Sequence, residues 1–266
     1  MAMLKFVFTL FLMGWSLMSV FSQEFYMQKI ADQADFFSTD NFNNVYVVSG
    51  CNVTKYSADG AKLSTFARFD YGEISSISTQ NPQKIMVFYQ DAGLILFLDK
   101  NLNPLTEPLN LFENQYNDIS LATCFASHKI CIYSSINQEL IFLDFYMREI
   151  SRSSIAFLNC DPMHICALNE SMFCLQDSIQ GVFVFDALGS FDRKLSIFSS
   201  IPLYLYGTEL CYFSHNQWIR YNITTMQEFV FSLPIPASRV NGIQSFNKGF
   251  LLLDDKRELL FLSNSN

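Results

Sequence analysis

The sequence repeats a pair of short apolar segments about every forty residues. The later segment of each pair is a run such as LILFLD at residues 94–99 or LIFLD at 140–144. A fixed period of this length is typical of repeat architectures, in which each copy is one supersecondary unit. The intervals between successive copies are 42, 45, 42, 36 and 41 residues. The last apolar residues of the six copies are Tyr56, Leu98, Leu143, Phe185, Tyr221 and Leu262.

A small polar residue follows each of these segments. Side chains of this type begin turns by accepting hydrogen bonds from their own backbone. We therefore interpret Asp99, at the end of LILFLD, as a turn residue and not as a catalytic carboxylate. The six residues are Ser57, Asp99, Asp144, Asp186, Asn222 and Ser263.

Each unit also contains an earlier apolar segment, separated from the later one by a short polar loop. Further apolar stretches, such as ISSIS and IPLYLY before a pair and KLSTFA and KLSIFS after one, complete four short segments per unit. Four strands per repeat at this period predict an all-β, six-bladed β-propeller with four-stranded blades over residues 23–266. The earlier segments are NVYVVS (44–49), KIMVFY (84–89), KICIYS (129–134), MFCLQD (172–177), ELCYFS (209–214) and GFLLLD (249–254).

The first unit, DNFNNVYVVSGCNVTKYSADGAKL (40–63), resembles an NHL-type propeller repeat. The shared pattern is Asn-apolar-Tyr-Val, a turn, apolar-x-Lys-Tyr and then Asp-Gly. Later units keep the apolar skeleton of this pattern. The chain as a whole is similar to secreted propeller-like proteins of Bacteroidota. The resemblance implies the fold and assigns no ligand residues.

The two ends of the repeat region predict how the ring closes. The last unit supplies only three strand-like segments, whereas QEFYMQKIA precedes the first strand of the first unit. We expect residues 24–30 to form the outermost strand of the last blade. Closure of this kind removes exposed sheet edges.

Residues 1–22 differ in character from the rest. One early cation, Lys5, precedes about fifteen apolar or small residues, and VFS precedes Gln23, which is typical of a cleaved signal peptide. The stretch is short for a membrane anchor, for which about 20 apolar residues are needed. No cysteine follows it to accept a lipid. We expect a periplasmic or secreted protein with no membrane span after cleavage.

The net charge of −8 argues against a nucleic-acid partner, because phosphate binding requires a basic surface. The lysines and arginines are too scattered to form a polybasic membrane-binding patch. We therefore expect a protein, peptide or glycan partner.

The seven cysteines allow two interpretations. Cys131, Cys174 and Cys211 occupy the same repeat position as apolar residues in other units, so we expect buried thiols there. Two disulfides are an alternative: a two-residue turn would place Cys124 opposite Cys131, and a three-residue turn would place Cys166 opposite Cys174. The motif CDPMHIC (160–166) offers only three metal ligands, so we predict no metal site.

Candidate ligand-binding residues lie in the predicted loops that surround one mouth of the channel. Ordinary turn chemistry explains the same residues, because Asp and Asn are common in turns. They are Asp70, Asp118, Asp161, His215, Arg239 and Asn241.

Two functions compete. We favour a non-catalytic binding or scaffold module, without a cofactor or catalytic residue, since a propeller is a rigid platform with variable loops. The alternative is a metal-dependent lactonase or other sugar-processing enzyme. Six-bladed propellers of the gluconolactonase type bind a divalent metal on the axis with a Glu/Asn/Asp set. Asp70, Asp118, Asp161 and Asn241 resemble such a set, and their oxygens suit calcium.

Overall fold

The computed structural model describes residues 25–125, 129–214, 217–247 and 249–264. These residues form 24 strands in six four-stranded antiparallel sheets, with almost no helix. Along the chain, each sheet is a meander of consecutive strands, apart from the sheet that joins the two ends. This arrangement confirms the predicted six-bladed β-propeller.

The first three blades contain the strands that follow the N-terminal strand β1. Blade 1 consists of β2 (Phe36–Thr39), β3 (Val45–Ser49), β4 (Asn52–Tyr56) and β5 (Lys62–Ala67). Blade 2 consists of β6 (Ser76–Ser78), β7 (Ile85–Tyr89), β8 (Leu94–Leu98) and β9 (Leu109–Asn110). Blade 3 consists of β10 (Ile119–Phe125), β11 (Lys129–Ser134), β12 (Glu139–Leu143) and β13 (Glu149–Ser154).

The remaining three blades complete the ring. Blade 4 consists of β14 (His164–Ala167), β15 (Met172–Asp177), β16 (Gly181–Asp186) and β17 (Phe191–Leu195). Blade 5 consists of β18 (Tyr204–Tyr206), β19 (Glu209–Ser214), β20 (Gln217–Asn222) and β21 (Glu228–Phe231). Blade 6 consists of β22 (Val240–Phe246), β23 (Gly249–Asp254), β24 (Leu259–Asn264) and β1 (Phe25–Ala31). Single 3₁₀ turns occur at Phe69–Tyr71, Ala156–Leu158 and Ala237–Arg239.

The middle strands of each blade are apolar on both faces because a neighbouring blade covers each face. In β8, Ile95 and Phe97 pack in the cluster shared with blade 3. Leu96 and Leu98 pack in the cluster shared with blade 1. A strand buried on both faces reads as a continuous apolar run and not as an alternating one. This is why LILFL recurs with a near copy in blade 3.

The ring closes through β1, as predicted. β1 pairs antiparallel with β24, from Phe25 opposite Asn264 to Lys29 opposite Leu260, with an irregularity before Ala31. Since β24 is hydrogen-bonded to β1 on its outer side, it is not the outer edge of blade 6.

The turn role of Asp99 is also confirmed. Its Oδ1 accepts hydrogen bonds from the backbone N–H groups of Asn101 and Asn103, each at 2.8 Å. Burial acts to raise the pKa of Asp99, but the hydrogen bonds from Asn103 and Asn101 outweigh it and lower that pKa. Asp144 and Asp186 cap their turns in the same way.

Blade 4 departs from the predicted strand positions. Its outer strand is Phe191–Leu195 and not KLSIFS. The reason is that the turn begun by Asp186 closes when its N–H donates to the Ser190 carbonyl oxygen at 3.0 Å, so pairing resumes at Phe191 opposite Phe185. The inner strand of the blade is His164–Ala167, which begins inside the CDPMHIC motif (160–166).

The expected register of the first cysteine pair is wrong. Cys124 lies opposite Ile130, and Thr123 lies opposite Cys131. Three residues, and not two, separate the paired positions Phe125 and Lys129, and a shift of one residue turns a side chain to the other face of a sheet. Cys124 therefore packs toward blade 2 and Cys131 toward blade 4, which places the two thiols on opposite faces.

Cys166 lies directly opposite Cys174, as expected from the sequence. All seven cysteines are free thiols in the structure. The disulfide between Cys166 and Cys174 stays a prediction, whereas the pairing of Cys124 with Cys131 is withdrawn.

Candidate functional site: the loop face and the axial cavity

The meander topology sorts the connections into two faces. The loops between second and third strands, and the segments that enter each inner strand, lie at one end of the ring, which we call the loop face. The connections between first and second and between third and fourth strands lie at the other end, the turn face. The described segments of the loop face are 32–35, 50–51, 68–75, 90–93, 111–118, 135–138, 155–163, 178–180, 196–203, 232–239 and 255–258.

Five of the six predicted site residues lie on the loop face or where it joins an inner strand. They are Asp70, Asp118, Asp161, Arg239 and Asn241. The sixth, His215, lies outside the described residues. None of the five lines the axial cavity described below.

The polar atoms of these residues are largely used in contacts with the same or a neighbouring segment of the loop face. The Asp118 carboxylate accepts hydrogen bonds from the Ser134 hydroxyl and, at 3.2 Å, from the Ile136 N–H. Asp70 forms an exposed ion pair with Arg68 at 3.2 Å. These contacts fix loop shape, and they do not bring the carboxylates together.

On blade 6, Arg239 and Asn241 contact the turn that follows β23. Arg239 pairs with Asp255 at 3.1 Å and lies 3.8 Å from Asp254. Asn241 Nδ2 donates to the Asp254 carbonyl oxygen at 3.3 Å. Both residues therefore stabilise the turn.

Asp161 contributes its backbone to a turn of blade 4. Its N–H donates to Asp177 Oδ2 at 2.8 Å, and Asp177 Oδ1 accepts from Ile179 and Gln180. The exposed Asp161 carboxylate stays available to solvent.

Large apolar side chains are exposed on one part of the loop face. Seven side chains there have exposed fractions between 40% and 83%. We call this part, made of segments 68–75, 90–93, 111–118, 135–138, 155–163, 178–180 and 196–203, the apolar half. The seven side chains are Phe69, Phe112, Ile136, Phe157, Met163, Ile179 and Phe198.

The apolar half is also acidic. Its segments contain six carboxylates and one cation, Arg68. Within the described residues, only Asp70 of the six makes an ion pair. The carboxylates belong to Asp70, Glu73, Asp91, Glu113, Asp118 and Asp161.

The remaining described segments, 232–239, 255–258, 32–35 and 50–51, form what we call the paired half. Their four carboxylates all make ion pairs. No large apolar side chain of these described segments is exposed to the degree seen in the apolar half. The pairs are Asp32 and Glu258 with Lys29, Asp35 with Arg257, and Asp255 with Arg239.

A cavity of about 360 Å³ lies on the propeller axis and is lined by the inner strands of all six blades. Its lining residues near the loop face include Asp35, Ser75, Met163 and Pro202. The stacked rings of Phe37 and Tyr204, with centroids 4.5 Å apart, form part of its wall.

Hydroxyl groups of the lining connect neighbouring inner strands. The Ser38 and Thr79 hydroxyls are 2.8 Å apart, and Thr79 donates to the Thr39 carbonyl oxygen at 2.7 Å. Ser76 donates to the Ala122 carbonyl oxygen at 3.2 Å. These contacts hold blades 1, 2 and 3 together around the axis.

Gln244, on β22, joins blade 6 to both of its neighbours. Its Nε2 donates to Thr39 Oγ1 at 2.7 Å and to the Leu205 carbonyl oxygen at 2.8 Å. Because a carbonyl oxygen only accepts hydrogen bonds, Leu205 fixes which end of the amide is nitrogen. Gln244 Oε1 is buried and has no hydrogen-bond partner among the described residues.

His164 also lines the cavity, at the first position of β14. Its Nδ1 is buried and has no hydrogen-bond partner within the described part of the chain. Burial lowers the pKa of His164 to about 4. The ring is therefore neutral near pH 7.

A second cavity, of about 240 Å³, opens on the turn face. Ser78 and Gln80 line both cavities. Gln80 Nε2 donates to the Ala167 carbonyl oxygen of blade 4. Gln80 thus spans the channel between the axial cavity and the turn face.

The cysteines of the second strands are core residues, as the repeat alignment predicts. Cys131, Cys174 and Cys211 have no exposed surface. Burial raises the pKa of Cys131 and raises that of Cys211 to about 11. The hydrogen bond with Cys166, together with burial, raises the pKa of Cys174. Such protonated thiols are poor nucleophiles and poor metal ligands.

No group of three or more His, Cys, Asp or Glu side chains within the described residues is arranged to hold a metal ion. Cys160 of the CDPMHIC motif packs between blades 3 and 4, whereas Cys166 packs against the blade 4–5 cluster. The described chain also contains no helix that is both long and apolar enough to cross a bilayer.

Comparison with known proteins identifies the fold alone. No protein-family profile and no curated protein sequence matches the chain. Among solved structures, virginiamycin B lyase from Staphylococcus aureus is similar at a TM-score of 0.64 and 10% identity, covering 91% of this chain and 100% of that one. A chain of the mitotic checkpoint complex has a TM-score of 0.59 and 11% identity, covering 90% and 93%. The WD40 domain of Neurospora crassa Pan2 has a TM-score of 0.55 and 12% identity, covering 90% and 96%.

Sequence reasoning missed the two residues with unpartnered polar atoms at the axis. A signal for Gln244 was present, because GIQSF places an amide inside an otherwise apolar strand. His164 was considered only as a metal ligand within the CDPMHIC motif and not as a residue at the axis. The axial position of both residues follows from the ring of blades and not from local sequence.

Proposed function

We propose that this protein is a non-catalytic, extracytoplasmic binding module that holds a protein partner on the apolar half of the loop face. The observation that supports the proposal best is the group of seven exposed apolar side chains in loops of that half. We take these side chains, which polar loop residues surround, as one interaction surface, because large exposed apolar patches mark interaction sites.

The charge of the apolar half defines the partner more closely. Five of its six carboxylates lack an ion pair within the described residues. A partner segment with basic and apolar side chains would neutralise them and cover the aromatic groups. Electrostatic complementarity of this kind mainly increases association rate and specificity. We therefore propose a basic, apolar protein segment as the ligand.

Two further points agree with this function. The N-terminal sequence has the features of a signal peptide, and export would place the loop face outside the cytoplasm. A chain with the same fold forms part of the mitotic checkpoint complex, a protein assembly. Propellers provide rigid platforms whose loops vary.

The test is to select ligands from a random peptide library on the purified protein and measure their binding to variants. We expect enrichment of peptides that combine Lys or Arg with aromatic residues. Ile136→Ser with Ile179→Ser should weaken their binding about tenfold or more, since truncation of anchor residues typically costs above about 1 kcal/mol each. Binding should also weaken as salt increases.

The matched control is on the turn face. Tyr146 and Leu188 are exposed to 81% and 63%, comparable to 82% for Ile136 and 83% for Ile179. Tyr146→Ser with Leu188→Ser should leave peptide binding unchanged. Selection of acidic peptides, or equal loss of binding in both double variants, would contradict the proposal.

The described residues give less support to the metal-dependent lactonase. Its proposed ligands Asp70, Asp118, Asp161 and Asn241 lie in separate loops and do not line the axial cavity. The cavity lining contains one carboxylate, Asp35, and it pairs with Arg257. Similarity to a lyase at 10% identity concerns the fold.

A further inference from the structure

Cys166 and Cys174 form a pair of thiols that the proposed loop-face function does not use. They lie directly opposite each other on β14 and β15, and both pack toward blade 5. The Cys174 thiol hydrogen-bonds to that of Cys166. Because the two side chains share one face of the sheet and are in contact, their sulfur atoms are within reach of each other.

The two thiols differ in access. Cys166 is half-buried and lines the axial cavity, and it is the only cysteine in the described lining. Cys174 has no exposed surface and does not line the cavity. The cavity of about 360 Å³ has room for a small reagent, which would meet Cys166 before Cys174.

The backbone register shows which type of strand pair the two cysteines occupy. Leu168 donates its N–H to the Met172 carbonyl oxygen at 2.9 Å. Hydrogen-bonded and non-hydrogen-bonded pairs alternate along an antiparallel ladder, and the register of β14 with β15 has no shift. Cys166 and Cys174 are therefore a hydrogen-bonded pair.

This type of pair allows a disulfide but does not favour it. Its Cα atoms are about 5.5 Å apart, inside the range of about 4.4–6.8 Å for disulfides. The Cβ atoms of directly opposed residues are about 4.5–5.5 Å apart, whereas a relaxed disulfide needs about 3.5–4.5 Å. A disulfide at this position would be strained, and strained disulfides are readily reduced.

We propose that Cys166 and Cys174 are a reversible redox pair, which small disulfide compounds oxidise through the axial cavity. A Cys166 thiolate attacks one sulfur atom of the compound, forms a mixed disulfide and releases one thiol. Cys174 then attacks Cys166 Sγ, which forms the bond between the two cysteines and releases the second thiol. The released thiols carry the protons of Cys166 and Cys174, and the two electrons that the protein loses reduce one disulfide compound to two thiols.

The environment of the thiols sets the order of these steps. The hydrogen bond with Cys166 and burial raise the pKa of Cys174, and since the thiolate is the attacking species, Cys174 reacts second. Contact with Cys166 compensates for its weak nucleophilicity, because proximity accelerates a reaction within one molecule. Export, which residues 1–22 indicate, would place the pair in a compartment where disulfides form.

The test is to treat the purified, folded protein with hydroxyethyl disulfide, block the remaining thiols by alkylation and map the cysteines by mass spectrometry. Glu170 lies between Cys166 and Cys174, so cleavage after Glu170 leaves two peptides that only the disulfide joins. We expect these joined peptides in the wild-type protein. Excess 2-mercaptoethanol should separate them again, whereas structural disulfides resist reduction by a monothiol pool.

Two variants separate the two steps. Cys174→Ala should retain the compound on Cys166 as a mixed disulfide and release one thiol at this site, half of what the wild-type pair releases. Cys166→Ser should slow the modification of Cys174 by about tenfold or more, because Cys174 is not exposed.

Cys124 and Cys131 provide the matched control on blade 3. Cys124 lines the turn-face cavity and Cys131 is fully buried, but their side chains lie on opposite faces of the sheet. Cleavage after Lys129 separates the two cysteines, and no joined peptides should form.

Three results would overturn the proposal: Cys166 and Cys174 stay unlinked, Cys124 and Cys131 become linked to the same extent, or the bond between Cys166 and Cys174 resists 2-mercaptoethanol. All three are read from the wild-type protein, so a folding defect in a variant does not affect them. The assay uses no binding partner, so its outcome is independent of the proposed loop-face function.

Discussion

The two halves of the loop face use the same type of connection for different purposes. In the paired half, every described carboxylate is held by a cation, and two of the four pair with Lys29 of the strand that closes the ring. In the apolar half, five of the six carboxylates lack an ion pair within the described residues, and large apolar side chains are exposed. Equivalent positions in a repeat fold therefore differ in the contacts they make: in the paired half they hold the closing strand, and in the apolar half they form the surface for which we propose a partner.

The largest expected effect comes from removing β1, the strand that closes the ring. A chain that begins at Asp32 lacks β1 and leaves β24 as an unpaired edge strand. We expect loss of the cooperative thermal transition and aggregation, because an open apolar edge is a template for pairing between molecules. Circular dichroism melting and size-exclusion chromatography measure both effects.

A chain that begins at Gln23 is the control for this truncation and should melt cooperatively as a monomer-sized species. If the chain that begins at Asp32 has the same melting temperature, β1 does not close the ring in solution. The paired half would then have no role in closure, and the contrast between the halves would be lost.

An intermediate effect concerns the pH dependence of stability. It arises from His164, which directly follows segment 155–163 of the apolar half. The folded pKa of His164 is about 4, below its ordinary value of 6.5, because of burial. The unfolded chain therefore binds the proton more readily, and stability falls as pH decreases from 6.5 to about 4. Since His164 as a whole residue is only half-buried, we expect a loss of about 1–2 kcal/mol and not the full value of the shift.

Urea unfolding at several pH values tests this expectation, with His164→Leu as the comparison. The variant should show a smaller loss of stability between pH 6.5 and about 4. Asp99, Asp144 and Asp186 have lowered pKa values, so their contribution is lost mainly below that window. Identical pH profiles for the two proteins would show that burial does not lower the pKa of His164.

The smallest effects compare surface residues of the two halves. Arg257→Ala removes an exposed ion pair with Asp35 and should lower the free energy of unfolding by about 0–1 kcal/mol. Ile179→Ser, in the apolar half, should change it by no more than about 0.5 kcal/mol. In urea unfolding experiments, high salt should reduce the loss of stability caused by Arg257→Ala and leave the effect of Ile179→Ser unchanged. A clear loss of stability in Ile179→Ser would mean that this side chain serves the fold and not a partner.

Much of the architecture was predictable from local pattern. The apolar runs with a turn residue after each, exemplified by LILFLD, indicated six blades, because strands buried on both faces must be apolar throughout. The extra N-terminal strand was predictable from the missing fourth segment of the last unit. Its pairing from Phe25 opposite Asn264 to Lys29 opposite Leu260 agrees with that expectation.

The wrong predictions share one physical cause: they depended on contacts between chain segments, which local sequence pattern does not report. Because Phe125 lies opposite Lys129, Cys124 is on the opposite face from Cys131. Apolar patterning does not report such a one-residue difference in register on a strand that is buried on both sides. The candidate carboxylates were assigned to the correct face, but sequence does not show that Asp118 is bound by Ser134 and Ile136.

The sequence by itself determined the repeat, the blade count, the turn chemistry of residues such as Asp99 and the buried cysteines. These properties depend on neighbours along the chain or on one repeat period. The tertiary structure alone decided which inner-strand residues meet at the axis, where Gln244 and His164 from blades 6 and 4 share one cavity. It also decided that exposed apolar side chains gather on one half of the loop face. Both are products of ring closure, which brings together residues that are far apart in the chain.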